Sequence, residues 1–381
     1  MISLNLEDIE SVRINLMPLT LTRPIGALLC GIADTVAERW QRLLPGAEVG
    51  YLTSPYLAAA FPAVNSDLTV AAHVLPTPEL ADRVAMLAPG QYLTDGSGNI
   101  VARRGEPEVE AGSVICLQYQ RLTDIFRLSK ELLTRDFDLF AKGRQSQPLS
   151  ASCTLIGPAD RLFIEEGAQV EGAFINTLGG PVYIGRRAEV QEAVVLRGPL
   201  AIGPDCRVRA GARLLPGVNL GPVNRVGGEI GNTVFLGHSN KQHDGYLGDA
   251  VIGHWVNIGG GTVSSNLKNN YAEIRLWNYG SRRFERTGLT FCGLIMGDHS
   301  KCAISTTFNT ATVVGVGCNI HGFGYPRPFV ASFTDGGLQT TGRTPLKQVL
   351  QVAEIAMSHR GMQLSQADID ILTHLYSLPD A

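Results

Sequence analysis

The stretch Gly180–Val226 reads GPVYIGRRAEVQEAVVLRGPLAIGPDCRVRAGARLLPGVNLGPVNRV, and one aliphatic residue recurs in it every six positions. Ile184, Val190, Leu196, Ile202, Val208, Leu214, Leu220 and Val226 stand in strict register. Glycine follows several of them, as in Ile184-Gly185, Ile202-Gly203 and Leu220-Gly221. An amphipathic helix would repeat every ~3.6 residues and a half-buried strand every ~2. One aliphatic residue in six, with turn-forming residues between, is instead the mark of a parallel β-helix. Each six-residue unit makes one short face. Its aliphatic side chain points inward and stacks on its counterpart in the next coil, with strands about 4.8 Å apart.

The same spacing extends in both directions. Ile164 and Val170 precede the stretch, and a two-residue slip separates them from Leu178, six before Ile184. Tyr246, Ile252 and Ile258 resume the period, and Met296, Cys302, Phe308, Val314 and Ile320 continue it. The register breaks over 230–245 and 264–294. Such excursions map to loops on one face, often the binding face, so chemistry is expected there. Apolar alternation around Ile274, Leu276 and Tyr279 predicts a hairpin in the second. After Tyr325 the repeat ends. Leu346, Val349, Val352, Ile355 and Ala356 share one helical face, and a second helix is predicted after Ser365. These helices are expected to cover the open end of the β-helix, whose strand edges would otherwise be unpaired.

Upstream the composition changes. The Gln145–Ser152 stretch, QSQPLSAS, reads as a linker. Before it, helical patterns over Gly26–Leu44 and Thr123–Phe140 alternate with strand-like runs at Val49–Leu52, Leu68–Val74 and Val114–Leu117. That alternation predicts a layered α/β domain with a mostly parallel sheet. The chain is therefore divided into an α/β domain (1–145), a linker (146–152), a β-helix (153–325) and a helical extension (326–381).

The 381 residues are 44% hydrophobic, enough for a sizeable core. Lys+Arg 32 against Asp+Glu 35 gives a net charge of -3, which offers no basic field for nucleic acid. The opening MISLNLEDIE has neither the basic nor the apolar region of a secretion signal, and no apolar run reaches spanning length, so no membrane partner is expected. Seven scattered cysteines without a C-x-x-C pair suit reduced thiols in the cytoplasm.

Four segments carry a family resemblance: PLTLTRP (Pro18–Pro24), TDIFRLSKELLTRDF (Thr123–Phe137), GPVYIGRRAEV (Gly180–Val190) and the long VGGEIGNTVFLGHSNKQHDGYLGDAVIGHWVNIGGGTVSSNLKNNY (Val226–Tyr271). With them the chain resembles a divergent bacterial subgroup of the bifunctional N-acetylglucosamine-1-phosphate uridylyltransferase/glucosamine-1-phosphate acetyltransferase family. The resemblance implies a truncated nucleotidyltransferase-like α/β domain followed by a left-handed parallel β-helix. It also implies acetyl-CoA as cosubstrate and a homotrimer.

In that family the N-terminal half joins a sugar phosphate to a nucleotide. The chemistry needs a glycine-rich phosphate cradle, a cation and Asp ligands for Mg²⁺. Here no G-x-G-T-R precedes PLTLTRP; the residues are SVRINLM. Arg23 stands where the family has a Pro-Lys-type motif and is the nucleotide-binding candidate. Asp95, in LTDGSGN, is the one candidate metal carboxylate, and that string equally suits a hairpin turn. A remnant domain that binds sugar or nucleotide, or that only packs, is expected, with Mg²⁺ needed only if it is active.

In the acetyltransferase half, the resemblance places the catalytic base on His243 and a tyrosine on Tyr246. The asparagines near the acceptor fall on Asn257 and Asn266, and the acidic residue on Glu229. The phosphate-contacting arginine falls on Arg209, beside Arg207. Two positions depart: Gly231 replaces a lysine and Leu267 a tyrosine, which points to a different acceptor. Acetyl transfer from a thioester needs a base for the amine's proton, a donor for the oxyanion and a means to hold the amine. His243 suits the first role at neutral pH. Backbone N–H groups around Gly260 suit the second. Tyr246, Asn257 and Asn266 suit the third, and Glu229 could orient the imidazole or bind sugar.

No metal site is assigned. His238 and His243 are five apart, as in carbonic anhydrases of this fold, but no third histidine stands in the preceding coils. Arg282, Arg283 and Arg286 form a small basic cluster, read as solvated. The leading expectation is N-acetylation of an amino sugar phosphate or a nucleotide-linked amino sugar. A sugar-1-phosphate nucleotidyltransferase and a non-catalytic sugar- or nucleotide-binding assembly module stay open as alternatives.

Overall fold

The computed structural model describes residues 2–32, 34–338 and 341–378, in two compact units. The first comprises residues 1–30, 34–124 and 365–374; the second holds the remainder.

In chain order the first unit contains β1 (Ser3–Glu7), α1 (Glu10–Asn15), α2 (Val36–Leu43), β2 (Glu48–Leu52), β3 (Leu68–Ala71), α3 (Pro78–Ala85), β4 (Gln91–Asp95), β5 (Ile100–Arg104) and β6 (Val109–Val114). The sheet order is β2-β1-β3-β5-β4-β6. Five of the six strands run in one direction, as expected of a mostly parallel sheet, and β5 alone runs antiparallel, to both β3 and β4. Asp95 makes that reversal: its Oδ1 accepts from the backbone N–H groups of Ser97 (2.8 Å) and Asn99 (3.0 Å). The helix expected over Gly26–Leu44 is α-helical only from Val36. Thr35 sets the start through a capping box with Glu38, and Gly31 at φ +70° belongs to the irregular segment before it. Leu28, Leu29 and Ile32 are buried, so their helix-like spacing reflects burial without a helix.

The second unit is built on the β-helix. Its first face stacks Thr154–Ile156, Phe174–Asn176, Val195–Arg197, Arg213–Leu214, Glu229–Gly231 and Tyr246–Gly248. The second face stacks nine parallel strands, from Leu162–Ile164 to Phe329–Val330. The third runs from Gln169–Val170 to Thr334–Gly336, where an antiparallel strand, Thr341–Arg343, closes it. The eight aliphatic residues in strict register fall on successive faces, and every one is buried. Ladders such as Ile164–Ile184–Ile202–Leu220–Phe235–Ile252 fill the axis. Each such side chain contributes roughly 1.5–3 kcal/mol on burial.

Three details differ from the spacing argument. Residues 230–245 do not leave the β-helix: Ile230 and Leu247 pair in the first-face ladder and Phe235 in the second. The break arises because the corner Gly227-Gly228 is short, with Gly228 at φ +75°. Leu178 and Tyr246 are not core residues. Leu178 is 65% exposed, and Ile175 and Leu247 hold the inward positions. The ladder also continues past Tyr325 through Phe329–Val330 and Thr334–Gly336. The excursion after Ser264 does form the expected hairpin, Arg275–Asn278 against Arg283–Arg286.

Two helices, α4 (Leu122–Arg127) and α5 (Ser129–Ala141), occupy the Thr123–Phe140 segment. Leu133, Phe137 and Phe140 of α5 cover the outward residues Phe163, Tyr183 and Ala201 of the second face. At the end of the β-helix, Tyr376 packs edge-on against Phe333 of the last coil at 5.0 Å, and Arg343 lies over the Tyr376 ring. Helix α6 (Leu346–Ser358) lies beside the third face. Most of α7 (Gln366–Ser377) belongs to the first unit, where His374 stacks on Tyr56 at 4.3 Å. No helix among the described residues is long and apolar enough to cross a membrane.

Candidate active site

The corner between the third and first faces carries His243, Gly260 and Arg209. His243 sits on it, exposed, just after the strand Asn240–Lys241. Its ring lies against Gly260 of the next coil: a Cβ added there would come 3.2 Å from His243 Cβ and 3.5 Å from Cδ2. Gly228 occupies the corner of the preceding coil. Gly260 leaves the imidazole room that a side chain would fill, whereas Gly228 is needed for the backbone of Asp244 and Gly245, which a Cβ there would meet at 2.8–3.0 Å. No side-chain hydrogen bond restrains the ring among the described residues.

The backbone of His243 is fixed from inside. Lys241 takes the inward position after Val226 in the third-face ladder, where every earlier member is valine. It is 2% exposed. Its Nζ donates to Gly227 O (3.0 Å) and His243 O (2.8 Å). Burial lowers its pKa to about 8, against weaker opposing pulls from Asp244 and Cys302.

On the adjoining first face, Asn266 Nδ2 donates to Tyr246 Oη (2.9 Å) and to Asp249 Oδ2 (2.7 Å). Asn232 Nδ2 donates to Asp249 Oδ1 (2.7 Å). Gly248 makes this packing possible, since a Cβ there would fall 2.3 Å from Tyr246 Oη. Burial, then the carboxylates of Asp249 and Glu229, push the Tyr246 phenol above its ordinary pKa, against the Asn266 hydrogen bond. The phenol therefore keeps its proton at neutral pH and, accepting from Asn266, can donate outward. Glu229 is the register neighbour of Tyr246, but its carboxylate is engaged by Arg213 (3.0 and 3.1 Å) and not by His243.

The remaining candidates divide between faces. Asn257 lies on the third face, exposed, accepting from Asn240 (2.6 Å), which accepts from Gln242 (2.6 Å). Asn257 and Asn266 thus flank the His243 corner from opposite sides. Arg209 is exposed on the same corner two coils earlier, its Cβ 3.3 Å from where a Gly227 Cβ would stand. Gly231 leaves an apolar spot beside Leu215, and Leu267 bridges Phe291 at the base of the excursion. His238 stands at the other end of the third face, stacked on Trp255 at 4.4 Å and with Nδ1 3.3 Å from that of His254. His238 and His243 therefore occupy different corners and cannot share a metal. The described residues hold no group of three or more His, Cys, Asp or Glu placed for a metal ion. Sequence reasoning missed Asp249, Asn232 and Lys241. The Gly248-Asp249 pair just after Tyr246 was the available signal for the first.

In the first unit, Arg23 is 9% exposed, with Nη2 donating to Thr22 Oγ1 (3.3 Å). Asp95 is occupied by its own turn and by Gln118 Nε2 (3.2 Å). Burial would raise its pKa, but the hydrogen bonds from Asn99, Gln118 and the turn prevail and hold it at about 2.

Residues 6–145 match the sugar nucleotidyl transferase family model. The chain is 35% identical over 117 residues to the bifunctional protein GlmU of Bordetella parapertussis, covering 28% of this chain and 25% of that one. It is 29% identical over 220 residues to GlmU of Xylella fastidiosa strain M12, covering 55% and 40%. Over these segments the chain is similar to the GlmU proteins. It spans a quarter to two-fifths of the length of these relatives. Among solved structures, polysialic acid O-acetyltransferase OatWY aligns with TM-score 0.25 and 11% identity, over 50% of this chain and 88% of that one. Arabidopsis UDP-N-acetylglucosamine acyltransferase aligns with TM-score 0.20 and 14% identity, over 56% and 80%.

Proposed function

We propose that this GlmU-like chain transfers an acetyl group from acetyl-CoA to the amine of an amino sugar phosphate or a nucleotide-linked amino sugar. One observation carries the reading: an exposed imidazole with no side-chain hydrogen bond lies over Gly260, three residues before Tyr246, whose hydroxyl Asn266 holds. His243 takes the proton of the ammonium form, which is no nucleophile. The amine attacks the thioester carbonyl, the C–N bond forms, the C–S bond breaks, and the thiolate leaves to take up a proton. The N–H of Gly260 is the donor assigned to the developing oxyanion, because those of Gly259 and Gly261 already donate to Cys302 O (3.2 Å) and Asp244 O (3.0 Å). Tyr246, Asn266 and Asn257 hold the sugar from the two faces, with Arg209 toward its phosphate. Glu229, engaged by Arg213, is a sugar contact rather than the orienter of His243. A homotrimer would supply a second wall at this open corner. The test is release of free thiol from acetyl-CoA with glucosamine 1-phosphate and a panel of nucleotide-linked amino sugars. Acceptor-dependent release supports the reading; none with any member contradicts it.

The match of residues 6–145 favours a second role, binding of sugar or nucleotide by the first unit. Buried Arg23 and the occupied carboxylate of Asp95 argue that this role does not include nucleotidyl transfer.

A further inference from the structure

Between the third face of the β-helix and helix α6 lies a cleft of about 510 Å³. Arg225 and Lys301 enter it from the β-helix, with Asn240 and Asn257 between them in one outward column. Helix α6 and the turn after it supply the apolar Ile355 and, at the far end, Arg360. The cleft has no carboxylate in its lining.

The cations are not neutralised from within. Arg225 has no side-chain hydrogen bond or ion pair among the described residues. Arg360 Nη1 is buried without a hydrogen-bond partner. Lys301 gives one hydrogen bond, to His299 O at 3.2 Å. Glu189, the acid that acts on Arg225, is itself held by Arg207 at 2.6 Å. Burial, then the positive charges of Arg225 and Arg207, weaken the hold of Arg360 on its proton. Arg225 is weakened in the same way, by burial and then Arg207, with Glu189 pulling back. Burial brings Lys301 to about 8. A fold that gathers like charges under a helix and leaves a buried guanidinium N–H unbonded carries a repulsion that a bound anion would relieve.

We propose that this cleft binds the phosphate group of a small organic phosphate, held by Arg225, Lys301 and Arg360. Guanidinium forks match phosphate oxygens in pairs, and the ammonium adds a point charge. The amides of Asn240 and Asn257 meet polar groups next to the phosphate, and Ile355 covers an apolar part. The cleft is separate from the Arg209 corner. It joins the candidate active site through Gln242, which lines the cleft next to His243. A phosphate seated here belongs either to the acyl donor or to the sugar. The site itself stands whether or not acetyl transfer occurs.

The test is calorimetric titration of the full chain with coenzyme A, glucosamine 1-phosphate and inorganic pyrophosphate. It is repeated with Arg225→Gln, Arg360→Gln and, as control, Arg187→Gln, whose partner is Asp205 elsewhere on the β-helix. Saturable binding that weakens by roughly tenfold or more in the first two variants, and not in the control, is expected. The ligand that binds tightest names the source of the phosphate. The unliganded Arg225→Gln and Arg360→Gln proteins should melt no lower than the parent, since each loses a repelling charge. No saturable binding of any of the three probes overturns the proposal. So does affinity unchanged in correctly folded Arg225→Gln and Arg360→Gln. Binding kept and lost in this pattern without acetyl transfer would leave the cleft standing and remove the catalytic reading.

Discussion

Replacing Lys241 with methionine should change how stability depends on pH, by an amount that follows from where the lysine sits. The side chain is 2% exposed inside the β-helix, and its pKa is lowered from 10.5 to about 8. Between those values the folded chain holds fewer protons at this site than the unfolded chain. Stability therefore rises with pH across the window. This contribution is complete above about 10.5 and is lost as pH falls toward about 8. At about 1.4 kcal/mol per pH unit, the window is worth about 3 kcal/mol. Methionine keeps the length and has no proton to exchange, so Lys241→Met lacks the effect. Buried cysteines and tyrosines also titrate in this range, but equally in both proteins, so the difference between them isolates Lys241. Urea unfolding of both, at steps from about pH 7 to pH 10.5, gives that difference. The parent should gain about 3 kcal/mol relative to the variant on going up. A difference constant across the range, or one that shrinks as pH rises, would refute the burial of a lysine ammonium beneath His243.

Gly248→Ala would place a methyl group 2.3 Å from Tyr246 Oη and 3.0 Å from Asn266 Nδ2. It should cost about 1–3 kcal/mol by overpacking and weaken acceptor binding, read by thermal unfolding and KM, while Gly96→Ala, where the added atom meets nothing, serves to show a generic glycine effect. The first unit should release no pyrophosphate from a nucleoside triphosphate and a sugar phosphate with Mg²⁺ present; measurable release would overturn the argument from buried Arg23 and the turn-held carboxylate of Asp95. Light scattering at working concentration should give a trimer, and a monomer would leave the His243 corner without its second wall.

The β-helix was legible because its inward residues repeat at a spacing that neither a helix nor a lone strand produces. Its corners were not. Where Gly227-Gly228 shortens one, the six-residue sieve loses register, and the coil that carries His243 was read as a loop. The same slip counted Tyr246 as core, although Leu247 is the residue that points inward. Lys241 escaped notice because a charged residue at an inward position is recognised only once the carbonyls that hold it are seen. Asp249 joins Asn232 and Asn266, residues from two different coils, and no local pattern shows such a junction. In the first unit the helix over Gly26–Leu44 was overdrawn, since buried leucines before Thr35 mimic helical spacing.

The central claim is that His243 removes a proton from an amine that then takes the acetyl group. Mass spectrometry of an amino sugar phosphate incubated with acetyl-CoA and either the parent chain or His243→Ala tests it most directly. The account predicts an amide-linked acetyl product from the parent. It predicts formation slowed by roughly 10²–10⁴-fold in the variant, the usual worth of one positioned base. Affinity for coenzyme A and thermal stability should change little, because the ring is exposed at a corner and fills no part of the core. Product formed at the same rate by both proteins would contradict the account.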